Sequence, residues 1–227
     1  MKSKILLTSL ALFLFISIIN AQFVTPITSI SGPAEVTTLD ENVISGKIKY
    51  ASFGPNGMMS FMLLDESGNK NKFKAADVRM LKLKVDGLAK LEIISEQSSN
   101  IEKLANSNFK EVVDREYIYW ERIKHPEKDK YMLVQLLNPG FDNKLQVYDA
   151  PNSKSGETSV GGIAVSGDKA TAYYVVKEGE SLKITKKKYK KQDYNLLFGD
   201  CEEITRNHKP DFQEIAALVF YYDQYCK

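Results

Sequence analysis

Residues 44–85 read ISGKIKYASFGPNGMMSFMLLDESGNKNKFKAADVRMLKLKV, and this stretch decides the fold class. Ile48 and Tyr50 alternate with Lys47 and Lys49, a period of two that turns one face of a strand inward and the other to water. FGPNG then makes a turn, and MSFMLLD is apolar enough for a buried strand. ESGNKN supplies the Gly and Asn that accept positive φ, after which Phe73, Val78, Leu81, Leu83 and Val85 resume an apolar series. Successive short strands joined by tight turns predict an antiparallel meander.

Working outward, the chain starts with the features of an export signal. Lys2 and Lys4 precede an apolar run over residues 5–19, and Asn20, Ala21 and Gln22 resemble a cleavage site. The run is shorter than the about 20 apolar residues of a spanning helix, although an uncleaved anchor is the alternative, and no later segment is expected to span a bilayer. The chain of 227 residues carries 31 basic and 29 acidic side chains, so losing Lys2 and Lys4 with the signal balances the two signs. A neutral mature chain has no global field to attract nucleic acid or an anionic membrane. Two cysteines in an exported chain, Cys201 and Cys226, most simply form one disulfide.

Residues 22–35 contain Pro26, Gly32 and Pro33 among Ser and Thr, and are expected to form an extended leader without its own core. An N-terminal β section is expected over 22–96, a curled sheet or small barrel. The polar stretch SEQSSNIEKLANSN marks the softest boundary, at about 96–109. A second antiparallel section is expected over 110–187. In EYIYWERIK, Tyr117, Tyr119 and Glu121 alternate with Ile118, Trp120 and Arg122; YMLVQLL and KLQVYDA follow as strands, then GIAV, TAYYVV and LKIT.

The period changes in the last segment, 188–227. Asp200 and Asp211 each precede a Glu by three residues, Glu203 and Glu214, as N-caps of two short helices would. Phe212, Ile215, Val219, Tyr222 and Cys226 then share one helical face, as do Cys201 and Ile204. A bridge between the cysteines ties the final helix down.

Taken together, these phrases resemble a family of exported proteins of unknown function from Bacteroidota-type bacteria. The matching phrases are GKIKY, FMLLD, SGNK and FKAADV at the start, YMLVQLLNPGFDNKLQVYD in the middle, and FGDCEEI with IAALVFYYDQYC at the end. The likeness runs from about residue 40 to the end, departing at Asp223 where the family tends to have Asn. It implies export and architecture, and it carries over no activity, cofactor or site.

Candidate chemistry is sparse. His125 and His208 each sit beside a proline in a polar turn, where surface positions are expected, and no nucleophile motif accompanies them. Asp65, Ser67, Asn69 and Asn71 imitate a calcium loop, but Lys70 stands where an EF-hand needs Gly and Ala76 where it needs Glu. A hairpin turn is the expectation, with no metal site and no cofactor. Glu121, Asp142 and Asp149 lie on or beside the aromatic middle section, yet nothing in their spacing defines a glycosidase pair. The candidate binding surface comprises Tyr117, Tyr119 and Trp120, aromatics able to stack on a partner, and Lys186, Lys187 and Lys188 within a lysine-rich run. The expectation is a β-rich α+β protein, with antiparallel sheets or a small barrel and two short C-terminal helices. It is expected to be periplasmic or secreted, and noncatalytic, binding a protein or glycan but no nucleic acid. A carboxylate-based hydrolase of envelope polymers is the alternative.

Overall fold

A computed structural model describes residues 22–27, 30–85, 116–151, 159–160, 163–164 and 170–227. The proposed signal, the expected strand LAKLEII and the polar boundary near 96–109 lie outside these residues. The meander is present as β1 (Gly32–Thr38), β2 (Val43–Gly54), β3 (Gly57–Asp65), β4 (Lys70–Lys74) and β5 (Val78–Lys84). After the undescribed stretch come β6 (Tyr117–Lys124) and β7 (Tyr131–Gln135). All seven belong to one antiparallel sheet in the order β2-β1-β5-β6-β7-β3-β4, and β2 also pairs with β3. Six strands therefore close into a barrel, and β4 lies outside the ring against β3.

Closure explains the apolar alternation except at Tyr50, which is 44% exposed because β2 shifts register against β3 between Ile48 and Tyr50. Val36, Ile48, Phe61, Leu63, Leu81, Leu83, Ile118, Trp120 and Leu133 fill the interior and are at most 2% exposed. Closing the sheet also satisfies the strand edges that an open meander would leave unpaired. The seam between β3 and β7 is short, with one paired position, Met58 opposite Leu133. β6 and β7, on the far side of the expected boundary, complete the same sheet as the meander.

The second sheet comprises β8 (Leu145–Asp149), β11 (Ala172–Lys177) and β12 (Glu180–Thr185), in the order β12-β11-β8. The backbone of β9 (Ser159–Val160) and β10 (Ile163–Ala164) forms a separate two-stranded ladder. Glu178 and Gly179, with φ of 51° and 82°, make the tight β11–β12 turn that positive φ at both central residues favours. Alternation gives this sheet two covered faces. Tyr148 and Tyr174 pack with Ile123, Met132 and Val134 of the barrel strands, whereas Leu145, Val147, Val175 and Ile184 pack beneath the helices. Buried Asn138 closes the turn before β8, donating to the carbonyls of Phe141 at 2.8 Å and Leu145 at 2.7 Å, and accepting from the Val147 amide at 2.7 Å.

The helical cap begins at α1 (Lys186–Lys188), passes through a π turn at Tyr189–Asp193 into α2 (Tyr194–Phe198), and continues as α3 (Glu202–Asn207) and α4 (Ile215–Tyr225). The two helices expected from the Asp-x-x-Glu phrases are α3 and α4, and Cys201 is joined to Cys226 across a sequence separation of 25. Asp211 caps as expected, accepting from the Gln213 amide at 3.0 Å. Asp200 does not. Its carboxylate accepts from Lys177 Nζ at 2.8 Å and from the Tyr222 hydroxyl at 2.6 Å, linking β11 to α4. Burial works against its charge, but Lys177 and Tyr222 prevail and hold its carboxyl below the usual range.

The leader, expected to be extended without its own core, has no helix or strand over residues 22–27, and Val24, Thr25, Ile27 and Ile30 are buried, Ile27 and Ile30 within the barrel cluster. Buried Gln135 accepts from the Ile27 amide at 2.9 Å and donates to the Thr25 carbonyl at 3.1 Å, while the Val24 amide donates to the Leu137 carbonyl at 2.8 Å. A Ser/Thr/Pro-rich segment becomes ordered wherever its polar backbone finds such partners.

Candidate functional site

The expected aromatic surface separates into three environments. Trp120 is only 2% exposed and belongs to the barrel interior, a correction that follows from strand alternation, since Ile118 and Trp120 point inward together. Tyr119 packs on the opposite side against the cluster between barrel and second sheet. Tyr117 lies at the barrel rim with the Lys82 ammonium 4.3 Å from its ring centroid, and Lys82 in turn pairs with Glu35 at 3.2 Å. These residues help line a cleft of about 490 Å³. Lys186, Lys187 and Lys188 are exposed on α1, after β12 of the other sheet, and no contact among the described residues joins them to Tyr117.

His125 is also not the surface residue expected. It is 5% exposed, faces the Tyr174 ring at 6.1 Å, and uses Nδ1 to accept from the Glu127 amide at 3.0 Å. Burial, followed by the nearby Lys128 and Lys130 charges, shifts its pKa downward and favours the neutral ring. Asp65 organises the β3–β4 turn, accepting from the Asn69 amide at 2.8 Å and from the side chains of Asn69 and Asn71. No cluster of three potential metal-ligating acids, histidines or cysteines occurs among the described residues.

A larger cleft, about 790 Å³, lies where the barrel meets the second sheet. Its lining includes Arg79, Glu121, Arg122 and Tyr131 from the barrel, and Gln146, Tyr148 and Ser181 from the second sheet. The backbone explains how these polar groups converge. β1 and β5 change register between Thr37 and Thr38, leaving Arg79 as the extra residue of a bulge, a device that re-aims a side chain at a barrel rim. Glu121 faces the second sheet because its neighbour Trp120 faces inward. The Tyr148 hydroxyl donates to Glu121 at 2.6 Å, connecting β8 to β6.

The Glu121 carboxyl is shifted above its ordinary range, chiefly because burial penalises its charge. Tyr148 counters by hydrogen bonding, the Asp142 charge adds to the rise, and Arg79 opposes it. The shift carries a stability consequence. A raised folded-state pKa makes the Glu121 contribution fully present below the unfolded value of about 4.5 and lost as pH rises through the folded value. Glu121→Gln removes this titration while retaining an acceptor for Tyr148. The thermal midpoint of the variant relative to wild type should therefore be higher at pH 7 than at pH 4. A difference constant across that range, measured by circular dichroism melting, would refute the assignment.

Tyr131 is 48% exposed, and the Arg122 guanidinium carbon lies 3.3 Å from its ring centroid. Of these residues only Glu121 stood out in the sequence, as an acid of the aromatic section; Arg79, Arg122, Tyr131, Gln146 and Tyr148 had no role expected of them. For Arg122 a signal existed: a charged residue occupies the series set by Ile118 and Trp120, whose other members are core.

Fold and cleft define a closed antiparallel β-barrel joined to a helix-covered sheet, with a polar cleft at the junction. No family model, curated protein or solved structure matches the chain. The disulfide is compatible with an oxidising extracellular compartment, and no helix among the described residues is long and apolar enough to cross a membrane.

Proposed function

We propose that this is a noncatalytic exported protein of the envelope or extracellular space that binds a protein or glycan partner in the cleft between barrel and second sheet. The observation that carries this reading is the junctional cleft of about 790 Å³ lined by Arg, Gln, Ser and Tyr side chains. Ligand sites commonly have volumes of roughly 300–1,000 Å³, occur between structural units, and orient ligands with a few convergent polar groups. The half-exposed Tyr131 adds an aromatic surface suited to partner contact. In-cell crosslinking of wild type and of Tyr131→Ala/Gln146→Ala tests it. One partner recovered with wild type and reduced at least ~10-fold in the variant supports the cleft, whereas equal recovery excludes it.

The hydrolase alternative has one observation in its favour, the shift of Glu121 toward its protonated form under burial and the Asp142 charge. A carboxyl so poised can serve as a general acid. Envelope polymers cleaved by wild type and at least ~100-fold more slowly by Glu121→Gln would favour this chemistry over binding alone.

A further inference from the structure

Among the described residues, Arg122 is the cation of the cleft that has no ion pair. Its Nε is buried and meets no hydrogen-bond partner. The other cations lining the cleft are engaged: Arg79 pairs with Glu41, and Lys124 pairs with Asp129 at 3.3 Å. No ion pair is formed by Arg122 among the described residues. Its guanidinium lies over Tyr131, which covers a flat face while leaving the in-plane N–H fork free to meet an anion edge-on. The terminal N–H groups, rather than the buried Nε, are the donors within reach of a ligand.

We propose that the cleft takes an acidic glycan, with Arg122 pairing to a carboxylate or sulfate ester on one sugar ring. This inference rests on the cleft being the binding site. Arginine's planar fork suits two-oxygen anions, and the Tyr131 ring offers an aromatic surface to the C–H face of a neighbouring sugar. Gln146 and Ser181, on the opposite wall, supply the amide and hydroxyl partners that sugar hydroxyls require. Burial of Glu121 supports the choice by disfavouring the negative charge that would repel the ligand anion. A neutral glycan would leave the Arg122 donor unmet, so discrimination between acidic and neutral chains is expected.

Calorimetric titration of the mature, disulfide-intact protein at ~150 mM salt, where surface attraction is screened, provides the test. The probes are a uronic-acid oligosaccharide, a sulfated oligosaccharide and a neutral glucose oligosaccharide of equal length. At least one acidic probe should bind ~10-fold more tightly than the neutral one, and the preferred acidic probe identifies carboxylate or sulfate as the recognised group. Arg122→Met should lose ~10-fold or more of that affinity, Arg122→Lys should lose less, and Lys186→Ser/Lys187→Ser/Lys188→Ser should change it under ~2-fold. Circular dichroism melting verifies that each variant is folded. Wild-type affinity in folded Arg122→Met, or loss in the lysine variant instead, overturns the proposal. Equal binding of the neutral probe, lost in Tyr131→Ala, overturns the acidic specificity and leaves the cleft reading standing. Failure of all three probes overturns the acidic-glycan proposal, while partner capture sensitive to Tyr131 and Gln146 would still sustain the cleft.

Discussion

Gly57→Ala is expected to open the barrel along its β3–β7 seam and to lower stability by at least about 3 kcal/mol. Gly57 has φ +105°, outside the conformations that L side chains readily adopt. A Cβ there would lie 2.5 Å from the Leu133 carbonyl oxygen and 2.8 Å from Val134 Cγ1. The carbonyl belongs to the barrel backbone, so relief requires moving β7 away from β3. That movement removes the Met58–Leu133 pairing, the sole position at which these strands are registered. Gly68→Ala provides the control, because Gly68 also has positive φ, +84°, but a Cβ meets nothing within 4 Å. It should show only the conformational part, about 1–2 kcal/mol. Urea unfolding measures the two losses, and hydrogen exchange at Met58 and Leu133 locates the opening. Equal losses in the two variants would eliminate the seam clash as the cause.

Reduction of Cys201–Cys226 should release the helical cap before the barrel and weaken the protein by roughly 3 kcal/mol, as expected for a closed loop of this length in the chain-entropy account. The bridge spans a sequence separation of 25, and both cysteines belong to the cluster beneath the helices. The barrel interior contains neither cysteine. Lys177, Asp200 and Tyr222 retain one polar connection from β11 to α4 after reduction, but that connection is partly solvent-exposed and worth less than the covalent tie. Hydrogen exchange under reductant should reveal loss of protection in α2, α3 and α4 while Phe61, Leu81 and Trp120 keep theirs. Simultaneous loss at both places would show that cap and barrel unfold as one unit.

The barrel meander was legible because its cause is local. Lys47-Ile48-Lys49 and the apolar MSFMLLD establish strand faces, while Gly57, Gly68 and their polar neighbours establish turns. Likewise, Cys201 and Cys226 were legible as a pair because the chain has two cysteines, and both are buried at 6% exposure. Asp200 was misleading for the opposite reason. Its spacing from Glu203 matches a local cap, but an ammonium and a phenol distant in sequence compete for the same carboxylate.

The candidate cleft was legible only in pieces. Glu121 drew notice as an acid, yet its convergence with Tyr131 and Tyr148 depends on β6 pairing with β7 and on β8 approaching from the second sheet. Arg79 reaches the rim through a bulge, and a one-residue register shift leaves no mark in the local pattern. Sequence by itself determined alternation, turn chemistry and the helical faces, since those depend on residues close along the chain. Tertiary structure alone decided that β6 and β7 close the barrel, that Gln135 anchors the leader, and that Arg122 lines the cleft with no ion pair among the described residues. Each of those outcomes follows from which distant surfaces exclude water together and which buried polar groups find partners there.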